Sequence, residues 1–297
     1  MKIKLGVSPI NWCNDDDPTL GADISFGQMI REMAEAGYAG TEIGSKYPGD
    51  ASELKSFLSP FGLEISSAWF STYFTEPENY QTTLSGFLKH MSLMRALGAR
   101  YINVCECGHA IQNKNLPILS EHKPVFSEVQ WENLIQGLHQ IGRIAYDFGL
   151  QIVYHYHAGT GVFTEEEINF LMQHTSPTFL SLLLDTGHAA FAGIDSIQLI
   201  HHYKNRIRYV HLKDIRQSVL TRVAEQQLNF MDAVRAGVFT VPGDGDLDFM
   251  AIMQALKKIN YQGWLLVEAE QDPKKAPPLA YAKKAYQYLS ALIPGIL

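Results

Sequence analysis

Short runs rich in isoleucine, valine and leucine recur along the chain, each followed by a longer segment with helical spacing, and this alternation limits the fold more than any other feature. The runs fall at 3–8, 41–43, 63–68, 101–105, 151–155, 180–184, 207–211 and 264–268. Between them, Trp131, Leu134, Ile135, Leu138, Ile141 and Ala145 line one helical face, as do Tyr80, Leu84, Phe87, Leu88 and Met91. Gly37, Gly62, Gly98 and Gly149 each stand shortly before a strand, where helices commonly end on a left-handed glycine. Eight such units in 297 residues, about 37 residues each, predict a single closed (β/α)8 TIM barrel rather than an open doubly wound sheet. No Pro/Ser-rich or low-complexity linker divides the chain, so one domain is expected over 1–297. Two connections are long, 108–127 after the fourth strand and 214–246 after the seventh, and both belong to the catalytic face. In the second, Val219, Val223, Leu228, Met231 and Val234 are spaced as the apolar face of a helical lid.

Composition excludes several function classes. With 24 Lys+Arg against 31 Asp+Glu the net charge is −7, and no basic stretch suits a phosphate backbone, so nucleic acid is not an expected partner. No segment approaches the 18 or so apolar residues of a membrane span, and the start lacks a secretory apolar core; a cytoplasmic protein without membrane partners is expected. Three cysteines give no disulfide framework, and Cys105 and Cys107 read as small core residues rather than a metal pair. Gly243-Asp244-Gly245-Asp246 lacks the lysine and hydroxyl of a phosphate loop and reads as a turn at the base of the lid.

In a parallel barrel the carboxyl ends of the strands converge on one bowl, and polar residues there carry the chemistry. The fifth strand ends in His155-Tyr156-His157, the sixth in Asp185-Thr186-Gly187-His188, the seventh in His211-Leu212-Lys213, and the eighth in Glu268-Ala269-Glu270. Taken singly, each is ordinary: Asp185 as a helix cap, His211 and Lys213 as salt-bridged structure, the glutamates as a solvated rim. Taken together, four consecutive strands deliver imidazoles and carboxylates to one end. That mixed nitrogen and oxygen set suits Mn²⁺ or Co²⁺, with Zn²⁺ also compatible. His188 and Lys213 lie close enough in sequence to contact substrate or move protons. Asn11, Trp12, Glu42, Trp69 and Glu106, at the ends of strands one to four, are candidates for an aromatic wall and hydroxyl partners.

These residues carry a resemblance that runs essentially end to end. The chain resembles the xylose isomerase-like TIM-barrel superfamily of sugar isomerases, epimerases and dehydratases, and within it the inosose dehydratase family. The most specific matches are Tyr154-His155-Tyr156-His157-Ala158-Gly159-Thr160-Gly161, Leu184-Asp185-Thr186-Gly187-His188, Val210-His211-Leu212-Lys213-Asp214, Phe239-Thr240-Val241-Pro242-Gly243-Asp244-Gly245, and the segment Gly263-Trp264 through Asp272-Pro273. The superfamily's metal ligands are a Glu, an Asp, a His and a Glu on strands five to eight; Asp185, His211 and Glu268 match the last three. The fifth strand departs from this pattern, with His155 aligned to the missing glutamate and His157 left for proton transfer, or the two exchanged.

The resemblance implies a metal-dependent hydro-lyase that removes water from a cyclic polyol ketone, 2-keto-myo-inositol, to give a trihydroxycyclohexane-dione. His157, Lys213 and His188 are the implied proton-transfer candidates, with Glu270 ranked below them, and a partly desolvated lysine is expected to be poised near neutral pH. A sugar isomerase or epimerase, which returns the proton to carbon from a metal-stabilised enediolate, is the alternative. A homo-oligomer is an expectation by analogy alone.

Overall fold

The computed structural model describes residues 3–292. In chain order the strands are β1 (Lys4–Val7), β2 (Gly40–Ile43), β3 (Glu64–Thr72), β4 (Tyr101–Glu106), β5 (Gln151–His155), β6 (Leu180–Asp185), β7 (Ile207–Leu212), β8 (Asp214–Ile215), β9 (Phe239–Thr240) and β10 (Trp264–Val267). All but β8 and β9 close a parallel barrel in the order β1-β10-β7-β6-β5-β4-β3-β2. Every strand expected from the hydrophobic runs is present, within a few residues at its ends.

The helices form where the apolar stripes and caps demand. In α1 (Phe26–Ala36) Ser25 caps the start and Gly37, at φ 101°, ends it; in α3 (Tyr80–Leu97) Gly98, at φ 81°, does the same. Neither glycine accepts a side chain cheaply at such an angle. Capping boxes open α4 (Glu128–Asp147), from Ser127 and Gln130, and α5 (Glu165–His174), from Thr164 and Glu167. Leu134, Leu138 and Ile141 of α4 are completely buried against the barrel, each worth about 1.5–3 kcal/mol of apolar transfer.

The excursion after β7 is a small subdomain of its own. The antiparallel pair β8 and β9 brackets α8 (Gln217–Glu225) and α9 (Phe230–Arg235). Val223 and Val234 are buried, and Val219, Leu228 and Met231 pack on the same cluster around Phe230 and Phe239. The expected lid helix is therefore two helices, broken at Gln227, where φ is positive. The turn after β9 wraps the Asp214 carboxylate, which accepts the backbone N–H groups of Gly243, Gly245 and Leu247. A Cβ on Gly245 would lie 2.5 Å from Asp214 Oδ1, so this glycine is required by close approach.

Inside the barrel, Tyr101, Val153, Leu183, Tyr209, Trp264 and Leu266 form a separate core filling the lumen. This layer matters for the site, because the residue two positions further along each strand points the same way, one pleat nearer the carboxyl end.

On the outer side of β3, the His90 ring of α3 lies against Phe70 with centroids 5.3 Å apart, and burial pushes its imidazole down to about 4. A hydrogen bond to the Ala68 backbone offsets this in part, and among the described residues Nε2 is buried without a partner. A depressed imidazole favours the folded state while neutral, so its contribution is full above the unfolded value near 6.5 and is lost as pH falls towards 4. His90→Leu should flatten the acid loss of stability between those values by up to about 3 kcal/mol. Urea titrations of both proteins across that range would check this; parallel curves would contradict it.

Candidate active site

Val153, Leu183, Tyr209 and Leu266 of the lumen core are each followed two residues later by His155, Asp185, His211 and Glu268. Strand alternation alone therefore stacks these four polar groups directly above the core. All are buried, with exposures of 2%, 0%, 1% and 6%. His155 Nε2 stands 3.1 Å from Asp185 Oδ2, and His211 Nδ1 stands 3.5 Å from that oxygen and 3.0 Å from Glu268 Oε2.

Local sequence explains how Asp185 serves two purposes. Its Oδ1 caps α6 (Thr186–Phe191) by accepting the His188 N–H at 2.8 Å, which leaves Oδ2 for the site. Thr186 Oγ1 donates to the Lys213 carbonyl and accepts the Lys213 N–H, stitching α6 to the end of β7. Gly187 gives the lysine stem room to pass, since a Cβ there would lie 2.4 Å from Lys213 Cγ. Gly187→Ala should therefore destabilise the fold by about 1–3 kcal/mol through overpacking, and displace Lys213 from its partners. Thermal unfolding tests this, and an unchanged melting temperature would contradict it.

Lys213 is completely buried, with Nζ 2.6 Å from Glu268 Oε1, 3.0 Å from Glu270 Oε2, 3.1 Å from His188 Nε2 and 3.6 Å from Asp185 Oδ2. Burial opposes its charge, but Asp185, Glu268 and Glu270 outweigh burial and hold the ammonium well above the usual lysine range. The expectation of a lysine poised near neutral pH is corrected by these three carboxylates. Neither Lys213 nor His188 lines the cavity; both lie beneath it. Burial, then the charges of His157 and Lys213, keep His188 neutral.

Above them opens a cavity of about 580 Å³ whose inner end is lined by Glu42, His155, His157, His211, Glu268 and Glu270. Trp69 forms its aromatic wall, edge-on to His155 and His157 at 5.3 and 5.7 Å. The two histidines of the fifth strand are separated by their partners. His155 groups with Asp185 and His211, whereas His157 groups with His188 and Glu270. His157 Nδ1 is 2.9 Å from the Ala158 carbonyl and so carries the proton it donates there; Nε2 then faces Glu270 Oε1 at 3.8 Å. Burial disfavours charge on this ring, but the hydrogen bond and charge of Glu270 prevail and raise it above the ordinary histidine value. For Glu270, burial is outweighed by Lys213 and His157, which lower it to about 2.

The donor set fits a divalent cation. Three buried carboxylates, Asp185, Glu268 and Glu270, surround one buried ammonium, a fourth, Glu42, contacts His211, and the excess negative charge drives His211 up to about 10 against the effect of its burial, chiefly through Glu268 and Glu42. A cation among these groups would replace that proton. Among the described residues, Nδ1 of His155 and of His211 are buried without hydrogen-bond partners, the latter although Glu268 is adjacent. Burial holds His155 neutral, at about 3, the form in which imidazole binds metal. His211 Nε2 contacts Glu42 Oε1 at 3.0 Å, an outer carboxylate that turns Nδ1 towards Asp185 and Glu268. Glu42, expected to meet substrate, thus also lines the cavity as the partner of His211 and of Asn103.

Three other expected substrate residues are elsewhere. Asn11 is buried in a 3₁₀ turn and accepts the Ala269 N–H, joining β1 to β10. Trp12 is carried outward by that turn, completely buried, with Nε1 donating to Glu32. Glu106 points out of the lumen because Tyr101 and Asn103 point in; its carboxylate accepts from the Thr72 and Thr75 hydroxyls and from the N–H groups of Phe74 and Thr75. Cys105 is buried as expected, but Cys107 is half-buried and lines the cavity. The sequence reading missed Asp15, Asp16, Gln112 and Asn113, which also line it. The acidic run at 15–17, beyond the 3₁₀ turn that follows β1, was a signal that could have found the first two.

Residues 30–292 match the family model for the xylose isomerase-like TIM barrel. An inosose dehydratase from Clostridium tetani is 48% identical over 288 residues, 97% of this chain and 96% of that protein. One from Geobacillus thermodenitrificans is 49% identical over the same extent of each chain. Among solved structures, the IolI protein with a bound zinc atom superimposes with a TM-score of 0.73 at 15% identity, covering 99% of both chains. The chain belongs to the xylose isomerase-like TIM barrel family and, within it, to the inosose dehydratases.

Proposed function

We propose that this chain eliminates water from 2-keto-myo-inositol, with a divalent cation held by His155, Asp185, His211 and Glu268 and with His157 as the proton-transfer group. The observation that carries this reading is that His155 and His157, both lining one cavity, fall in different buried groups, His155 with Asp185 and His211 and His157 with His188 and Glu270. Two imidazoles and two carboxylates suit Mn²⁺ or Co²⁺, and Zn²⁺ is compatible. When bound, the ion would supply Lewis acidity to the substrate's ketone oxygen and so acidify the neighbouring C–H bond.

The chain's own residues do the rest. In its neutral form His157 carries its proton on Nδ1, fixed by the Ala158 carbonyl, so Nε2 is the basic nitrogen, and Glu270 beside it raises its affinity for a proton. Nε2 takes the proton α to the ketone, and the C–H electron pair passes into the substrate's enolate. The imidazolium so formed is stabilised by Glu270, which Lys213 keeps ionised. It then returns the proton to the β-hydroxyl as the enolate electrons form the C=C bond and the C–O bond breaks, leaving water, a neutral His157 and an enol that tautomerises to the dione. Lys213 and His188 position Glu270 from below rather than touching substrate. Trp69 offers an apolar face to the ring.

Mass spectrometry of the product from 2-keto-myo-inositol tests the reaction. Elimination predicts loss of one water and a new ultraviolet band from the conjugated dione, whereas an unchanged mass with a rearranged ketone would favour the isomerase reading.

A further inference from the structure

The cavity is also lined by residues of two loops, and one of their polar atoms lacks a partner among the described residues. Gln112 Oε1, from the loop after β4, is buried without a hydrogen bond, and Gln112 lines the cavity. An acceptor withdrawn from water and left unpaired is unfavourable, and a ligand hydroxyl would satisfy it. The backbone around it is tightly placed. The Ile111 N–H donates to the Gly159 carbonyl at 2.8 Å, and Gly159, at φ 81°, would bring a Cβ to 3.0 Å from the Gln112 nitrogen.

Beside it, Asp16 reaches in from the loop after β1. Its Oδ1 accepts from Asn113 Nδ2 at 3.1 Å, and its backbone N–H donates to Asn14 Oδ1 at 2.8 Å. The neighbouring Asp17 is tied to Arg235 of α9 at 2.5 Å, so the loop is anchored on both sides. Asp16 lies close enough to the inner residues to feel the charges of His157 and Glu270. This loop wall therefore presents two acceptors, an amide oxygen and a carboxylate, held by residues on different loops.

We propose that Gln112 and Asp16, the latter oriented by Asn113, are the specificity-determining residues of this site and accept hydrogen bonds from two neighbouring ring hydroxyls of a cyclic polyol ketone. This inference rests on the proposed function for the identity of the ligand. An acceptor built to pair with a hydroxyl rejects an analogue lacking it, because the acceptor is then stranded. The wall thereby selects for ring hydroxyls that take no part in the elimination.

The test uses the full-length, metal-loaded His157→Ala protein, in which substrate persists, with and without Gln112→Leu. Calorimetry measures binding of 2-keto-myo-inositol and of singly deoxygenated analogues, while metal content and melting temperature report on the fold. The wall predicts that Gln112→Leu weakens binding of the parent ketone about tenfold or more, and abolishes discrimination against one particular deoxy analogue. Asp16→Asn should relax discrimination at the adjacent hydroxyl. Unchanged affinity and discrimination in Gln112→Leu, with metal and melting temperature preserved, would overturn the proposal, as would absence of binding in both proteins. If the unsubstituted chain releases no water from the ketone, the proposed reaction fails, yet a binding difference between the two proteins would still support the wall.

Discussion

Asp185→Asn should leave the protein folded but without stoichiometric divalent metal and without turnover. Asparagine retains a side-chain oxygen able to cap α6 at His188, so the helix start is preserved. What is lost is the anionic Oδ2 that faces His155, His211 and Lys213. Asp185→Ala removes the cap as well, costing about 0.5–2 kcal/mol more, and leaves Lys213 with two carboxylates instead of three. Elemental analysis of both variants, with circular dichroism to report the fold, checks this; an Asn variant that keeps full metal and activity would place the ion elsewhere.

His157→Ala should keep its metal and lose turnover by about 10²–10⁴-fold, the usual worth of a positioned acid–base group. Its imidazole belongs to the set with His188 and Glu270 and makes no contact with Asp185 or His211 shorter than 4 Å among the ion pairs of the site. Glu270→Gln should impair the reaction through the same step, since the amide no longer compensates the imidazolium and no longer pairs with Lys213. A His157→Ala protein that turns over at the original rate would assign the proton transfer to another residue.

Period-2 alternation made much of this arrangement legible in the sequence. His155, Asp185, His211 and Glu268 can be placed on one rim by counting from the apolar strand residues below them, and the structure stacks them as the next pleat above Val153, Leu183, Tyr209 and Leu266. The same alternation, applied to β4, places Glu106 outside the lumen, where it organises a loop. Trp12 and Asn11 were illegible for a different reason: the chain leaves β1 through a proline-led 3₁₀ turn that redirects both side chains. Lys213 stands beside Asp185 and Glu268, but its charge state depends on three carboxylates from two other strand ends, a tertiary fact without local signature. Gln112 and Asn113 follow no strand pattern, because their position depends on contacts between loops.

The central claim is that the two histidines of the fifth strand divide the work, one binding the ion and one moving the proton. The direct measurement is divalent metal per chain, by elemental analysis, in His155→Ala and His157→Ala prepared in parallel from the same medium. His155→Ala should fall well below one equivalent while His157→Ala remains near it. A metal-free His157→Ala beside a metal-loaded His155→Ala would contradict it.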